Sequence, residues 1–370
     1  MFEAGSWAPF ELIDQARRWQ GKMFDALGMG PVESPSRVVL SRPAMTLRAY
    51  ADGKKEGPVV LIIPAPIKRA YIWDLLPGAS AVQALVSSGA RVYLIQWEEP
   101  RAREQEFGLA EYADRLIMTS IQAIKNEVGS CRVILAGHSL GGTLAAIFAA
   151  LHPEPIAGLI LLGAPLHFGP AVDAFGLLVA GSPRGRVLTA WLGKVSGSFL
   201  SAVSLAASPA TFACSRCHDW LASLPHAPAL KTYLRAERWT YDEMPLPRRL
   251  FEEVVDWLYI EDRLMCGTLM VGQRRAAPEL IHAPLLNVAE TQSAVAPPES
   301  ARPFYDAVRS TDKQWLWYEG DLGVCLQHLG MLVGKNAHEK LWPAIARWTH
   351  AHGSSRLFGE AKRLGRPAPG

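Results

Sequence analysis

Charge of one sign is missing as a concentrated feature, since 38 Lys and Arg residues against 35 Asp and Glu leave only +3 on 370 residues. The basic residues are spread along the chain, which excludes the basic stripe of a nucleic-acid-binding surface. Only Lys362-Arg363-Leu364-Gly365-Arg366 is locally basic, inside a segment (353–370) expected to be a flexible tail. Cysteine is sparse too: Cys131, Cys214, Cys217, Cys266 and Cys325 form no disulfide framework. Cys214-Ser215-Arg216-Cys217-His218 has C-x-x-C-H spacing, read here as an accidental match in a helical segment, so neither a metal nor a cofactor is expected. No uncharged apolar run reaches the roughly eighteen residues of a membrane span. The opening Met-Phe-Glu-Ala-Gly-Ser-Trp lacks the basic-then-apolar pattern of a signal peptide. Repeats and low-complexity tracts are absent as well. The expectation from these absences is a cytoplasmic globular protein without a transmembrane segment.

What is present is a hydrophobic content of 49%, enough for one large core with an inserted cap. Residues 8–27 place Phe10, Ile13, Ala16, Trp19, Phe24 and Leu27 at helical spacing, and Gly28-Met29-Gly30-Pro31 stops that helix. Strand patterns follow at 38–40, 46–50, 59–63 and 92–96, with helical patterns at 79–88 and 109–127. This alternation predicts an α/β fold with a mostly parallel central sheet flanked by helices. From about 166 to 281 the pattern is helical with Gly, Ser and Pro breaks, and strands return at 285–289 and 315–318 before a final helix at 337–350, bent or started by Pro343. The expected organisation is a helical leader (1–35), a first core segment (36–165), an inserted, mainly helical cap (166–281), a second core segment (282–352) and the tail.

The most informative stretch is Val133-Ile-Leu-Ala-Gly-His-Ser-Leu-Gly-Gly-Thr-Leu144, in which an apolar strand leads through G-x-S-x-G into an alanine-rich helix and on to a strand at 159–162. A serine on a sharp strand-to-helix turn is held with its Oγ exposed above the sheet, and flanking glycines let the backbone pack that tightly. Ser139 is therefore the expected nucleophile. It needs a base, which comes last in the chain order of such sites. His328 lies in a glycine-punctuated loop soon after the last strand, whereas His282, His338, His350 and His352 fall at a strand approach or around the final helix, so His328 is the expected base. The acid belongs after the strand ending near Ala289, but Glu290-Thr-Gln-Ser-Ala-Val-Ala-Pro-Pro298 holds no aspartate. Glu290 or Asp321 is left to supply a carboxylate, with a Ser–His dyad as the alternative. For the oxyanion hole, Leu140 follows the nucleophile, and in the Pro64-Ala65-Pro66-Ile67-Lys68 loop the prolines have no N–H, leaving Ala65 or Ile67 as the second donor.

Several further motifs occur in order: Leu61-Ile-Ile-Pro-Ala-Pro-Ile-Lys-Arg-Ala-Tyr-Ile-Trp-Asp-Leu75, Val92-Tyr-Leu-Ile-Gln-Trp97, Trp239, Asp242-Glu-Met-Pro245, Leu258-Tyr-Ile-Glu-Asp-Arg-Leu264, His328-Leu-Gly330 and Trp342-Pro343. Over roughly residues 45–350 the chain resembles the polyhydroxyalkanoate synthase family of α/β-hydrolase-fold proteins. That resemblance implies acyl chemistry on hydroxyacyl thioesters through a covalent acyl-enzyme. Two positions depart from it: the family's elbow cysteine is Ser139 here, and its aspartate aligns with Ser293. A thiolate is intrinsically nucleophilic near neutral pH, whereas a serine must be deprotonated as it attacks. The expected activity is therefore hydrolysis of an ester or acyl thioester. The alternatives are acyl transfer from a coenzyme A or carrier-protein thioester to an alcohol or amine, and a degraded site that only binds acyl ligands. The expected partner is a small-molecule or carrier-bound acyl substrate. The cap is the surface through which a homodimer would form, and the sequence leaves the oligomeric state open.

Overall fold

The computed structural model describes residues 8–50, 56–242 and 244–353. Glu243 and the segment 354–370, including its basic cluster, lie outside the described residues. Eight strands form one sheet: β1 Ser36–Arg42, β2 Met45–Tyr50, β3 Val59–Ile63, β4 Arg91–Trp97, β5 Val133–His138, β6 Ile156–Leu162, β7 Leu285–Glu290 and β8 Lys313–Tyr318. Their order across the sheet is β1-β2-β4-β3-β5-β6-β7-β8. The β1–β2 and β2–β4 pairs are antiparallel, and every later pair is parallel. Parallel neighbours need crossovers, which α2 (Ala81–Ser88), α3 (Leu116–Val128) and α4 (Leu140–Leu151) supply.

The central strands are buried on both faces, so they read as continuous apolar runs. Leu61, Ile63, Val133 and Leu135 point to the side covered by α3 and α4. Val60, Ile62, Ile134 and Ala136 point to the side covered by α2 and the last helix. β6 begins at Ile156, three positions before the expected 159, because Gly158 takes a close approach from Trp348 rather than ending the strand. Pro343 does not start that last helix: a π-helical turn at Ala337–Leu341 runs without a break into it, and the proline lies just past the junction of the two.

The chain between β6 and β7 is mainly helical: α5 (Ala174–Ala180), α6 (Gly185–Leu192), α7 (Gly197–Ala207), α8 (Arg216–Ser223), α9 (Ala227–Thr240) and α10 (Arg248–Glu253). It lies over the C-terminal ends of the parallel strands as a cap. The C-x-x-C-H stretch runs from a π-helical turn into α8, with Cys214 and Cys217 exposed and unpaired. The N-terminal helix α1 (Ala8–Ala26) docks on this cap through polar ties: Arg17 to the Thr240 carbonyl, Asp14 to the Ser198 N–H, and Asp25 to Arg238. The expected apolar face of α1 is only partly used. Ile13, Trp19 and Leu27 remain exposed, while Phe10 meets Phe199 edge-on. Beyond β7 come α11 (Arg302–Ala307), β8, α12 (Gln327–Val333) and α13 (Trp342–Gly353).

Candidate active site

Strand β5 ends at His138, and Ser139 turns the chain into α4 with φ 55° and ψ −135°, a left-handed conformation that few non-glycine residues adopt. The surroundings over-determine it. Ser139 N–H donates to the Leu162 carbonyl at 3.0 Å, and Gly142 N–H donates back to the Ser139 carbonyl at 2.8 Å. A Cβ at Gly141 would collide with the Ile63 carbonyl, and one at Gly142 would lie 2.5 Å from the Ala164 methyl. Glycine at both positions lets the elbow sit against the adjoining strands.

The parallel register pairs Ile63 with Gly137, so the loop after β3 leaves the sheet beside the elbow. Trp97 Nε1 donates to the Pro64 carbonyl at 2.7 Å and fixes the start of that loop. Ala65, Ile67 and Leu140 all line the cavity above Ser139. Leu140 opens α4, so its N–H is one of the first-turn donors with no acceptor inside the helix. The cap clamps this loop from outside. Trp239 Nε1 donates to the Arg69 carbonyl at 2.7 Å, Lys68 Nζ to the Thr240 carbonyl at 2.6 Å, and the Tyr71 hydroxyl to Asp242 at 2.7 Å. The separate motifs around 64–71 and 239–242 are thus two halves of one contact. Asp262, with φ 44°, ties the far end of the cap back to its first residues by accepting from Phe168 N–H and bonding His167 Nδ1.

His328 is the second residue of α12 and is buried with its ring in the same cavity as Ser139. Gly163, at φ 51° after β6, makes room for it, since a Cβ there would lie 3.0 Å from His328 Cε1. His138 stacks beside it with ring centroids 4.4 Å apart and donates from Nε2 to the His328 carbonyl at 2.9 Å, which sets the His138 tautomer. Burial pushes His138 down to about 4. Burial, then the neighbouring His138 ring, holds His328 well below the ordinary imidazole range. The base is therefore neutral and ready to accept a proton at neutral pH.

The structure brings neither expected carboxylate to this base. Both ring nitrogens of His328 are buried and unpartnered among the described residues. Asp321 accepts from the Tyr318 hydroxyl at 3.0 Å and from the N–H groups of Asn336 and Ala337 at 2.8 and 3.2 Å, capping the turn into the π-helical segment. Glu290, at the buried end of β7, is held above its usual range by burial, an effect opposed by the Ser293 hydroxyl. Ser293 itself accepts from Ala296 N–H and closes its own turn. Glu290 and Ser293 are thus engaged within their own turn, and Asp321 at the start of the π-helical segment. His138 and Gly163 escaped the sequence reading; the only signal was their place, next to the nucleophile and just past β6.

The cavity is about 240 Å³ and largely apolar. Its far wall comes from the cap, chiefly Phe175, Val179, Leu200, Phe212 and Phe251. Phe175 and Phe212 meet edge-on with centroids 6.2 Å apart. Such a site can hold an aliphatic acyl group against Ser139 with water largely displaced.

A family model described as alpha/beta hydrolase fold matches residues 96–302, more than half of the chain. The chain belongs to the alpha/beta hydrolase fold family. Within that fold it is polyhydroxyalkanoate-synthase-like. It is 27% identical to the poly(3-hydroxyalkanoate) polymerase subunit PhaC of Haloferax mediterranei, over 91% of this chain and 68% of that protein. It is 24% identical to the same-named subunit of Allochromatium vinosum, over 91% of this chain and 95% of that one. Among solved structures, the monoacylglycerol lipase of Paleococcus ferrophilus superposes with a TM-score of 0.55 at 19% identity, covering 83% of this chain and 99% of that one. The DcsB complex with its substrate analogue gives a TM-score of 0.51 at 16% identity, over 86% of this chain and 99% of that one. These two share the hydrolase fold.

Proposed function

We propose that the protein is an acyltransferase that passes an acyl group, of the hydroxyacyl kind, from a thioester through Ser139 to a hydroxyl acceptor. The observation that carries this reading is a largely apolar cavity lined by both Ser139 and a neutral His328, in a chain similar to polymerase subunits along nine-tenths of its length. The similarity weighs transfer above the hydrolysis that the serine alone led us to expect.

Ser139 Oγ attacks the thioester carbonyl while its proton passes to His328. Leu140 N–H with Ala65 or Ile67 N–H bind the oxyanion; the C–S bond breaks, and the leaving thiolate takes the proton from His328. His328 then removes the proton of the acceptor hydroxyl, which attacks the acyl-serine and releases Ser139 Oγ–H. The imidazolium formed on the way has no carboxylate beside it among the described residues. In a comparable serine triad, losing the aspartate charge lowers turnover by on the order of 10⁴, so a slow catalyst is expected.

The test is product analysis with a 3-hydroxyacyl-coenzyme A, with and without added hydroxyl acceptors, combined with intact-mass detection of an adduct on Ser139. Esters that grow with acceptor concentration support transfer. Free acid as the sole product would make the protein a hydrolase, and absence of both adduct and product would refute the acyl-enzyme.

A further inference from the structure

The loop that delivers His328 is held by the cap as well as by the sheet. Gly323 and Cys325 both take left-handed backbone conformations, at φ 78° and 68°. A Cβ at Gly323 would run into the Ala229 carbonyl of α9, so the loop passes directly under the cap. Asp219, on α8 and only 7% exposed, spends both carboxylate oxygens on this loop. Oδ1 accepts from Gly323 N–H and Oδ2 from Cys325 N–H, each at 2.8 Å, across 104 and 106 positions of sequence. Beside it, the Cys325 thiol donates to Glu237 of α9 at 3.2 Å, and Arg216 of α8 holds that carboxylate with bonds of 2.6 and 2.7 Å. Three residues beyond Cys325 comes His328, whose ring nitrogens have no partner among the described residues to aim them.

We propose that Asp219 is a positioning residue for His328: from the cap it fixes the 323–325 turn that places the imidazole at Ser139, so that seating of the cap and competence of the base are coupled. This rests on the acyl-enzyme reading above. A ring without its own hydrogen-bonded orienter takes its position from its backbone and packing. Two backbone N–H groups gripped by one buried carboxylate are a strong backbone restraint. The cap thereby holds both working loops, the oxyanion loop through Trp239, Thr240 and Asp242 and the base loop through Asp219.

The experiment compares the full-length protein with Asp219→Asn, which keeps the shape but turns an amide N–H toward one of the loop donors. A fluorophosphonate is the probe, and intact mass gives both the rate and the final extent of Ser139 labelling. Asp219→Asn is expected to label 10- to 100-fold more slowly while still reaching one adduct per chain, and to lower kcat on an acyl thioester with KM within twofold. A merely structural role would reduce the labelled fraction and leave the rate of the remainder unchanged; that result, or a wild-type rate, overturns the proposal. If Asp219→Asn does not fold, Asp219→Ser, which lets water reach both N–H groups, is read by the same two quantities, and a loss of extent without a loss of rate again overturns it. Failure of the wild-type protein to label refutes the acyl-enzyme reading instead, so the two failures are distinguishable.

Discussion

Ser139 and His328, the proposed nucleophile and base, sit in one cavity but are built in opposite ways. Ser139 is held by its own backbone: a strained turn, one main-chain hydrogen bond given to Leu162 and one taken from Gly142, and glycines packed against Ile63 and Ala164. His328 is held from outside, by the His138 ring, the space over Gly163 and a loop fastened to the cap by Asp219. Local construction makes the first robust to changes far away in sequence. Remote construction makes the second depend on three separate segments of chain. The two meet at the end of the sheet, where His138 adjoins Ser139 and packs on His328, and where Leu162 holds Ser139 while the next residue, Gly163, makes room for His328.

Breaking the comparison at its chemical centre has the largest expected effect. A site whose imidazolium already lacks a carboxylate has less left to lose than a complete triad, so Ser139→Ala is expected to lower thioester turnover by on the order of 10², and His328→Ala by a comparable factor, because the two act as a unit. Steady-state rates of the purified variants check this, and near-wild-type turnover in either would remove the residue from the mechanism. A smaller and purely structural effect is expected at the elbow. Gly142→Ala must displace Ala164 or the turn, and is expected to destabilise the fold by about 1–3 kcal/mol in urea unfolding. An unchanged unfolding midpoint would mean that the turn is not tightly packed.

The base side is sharpened by pH. Because burial holds His328 below its ordinary value, the acid limb of the kcat/KM profile is expected below pH 6.5. A limb at or above 6.5 would indicate an unrecognised carboxylate beside the ring. The same burial affects stability. Folded His138 stays neutral down to about 4, whereas in the unfolded chain it takes up a proton near 6.5. Between those values the unfolded state binds more protons, so stability is fully present above pH 6.5 and falls as pH drops toward 4. Each such histidine contributes a slope of about 1.4 kcal/mol per pH unit. Unfolding free energies at successive pH values, with His138→Gln as the comparison, test this. An identical slope in the variant would mean that His138 already protonates in the folded state.

Much of this arrangement was legible along the chain where the governing interactions are local. The elbow reads out because a buried strand, a glycine-flanked serine and a small-residue helix are consecutive, and the strand and helix order follows from the same alternation of pattern. The strand expected at 159–162 begins earlier, at Ile156, and includes Gly158, where Trp348 packs close to the backbone. The apolar spacing of α1 predicted a buried face, yet Trp19 and Leu27 are exposed, since the helix is tied down chiefly by Asp14, Arg17 and Asp25. Asp321 and Glu290 were plausible acids by position, and both are taken up locally, Asp321 by backbone N–H groups and Glu290 by Ser293.

By itself the sequence determined the α/β sheet and the strained serine turn, because each depends on neighbours within a few residues or on the period of burial. Only the tertiary structure decided that no carboxylate among the described residues pairs with His328, that His138 lies against it, and that a carboxylate on the cap grips its loop. Those are contacts between positions about 100 to 190 apart. Such pairings are set by how helices and strands pack in space, for which residue type and spacing along the chain carry no signal.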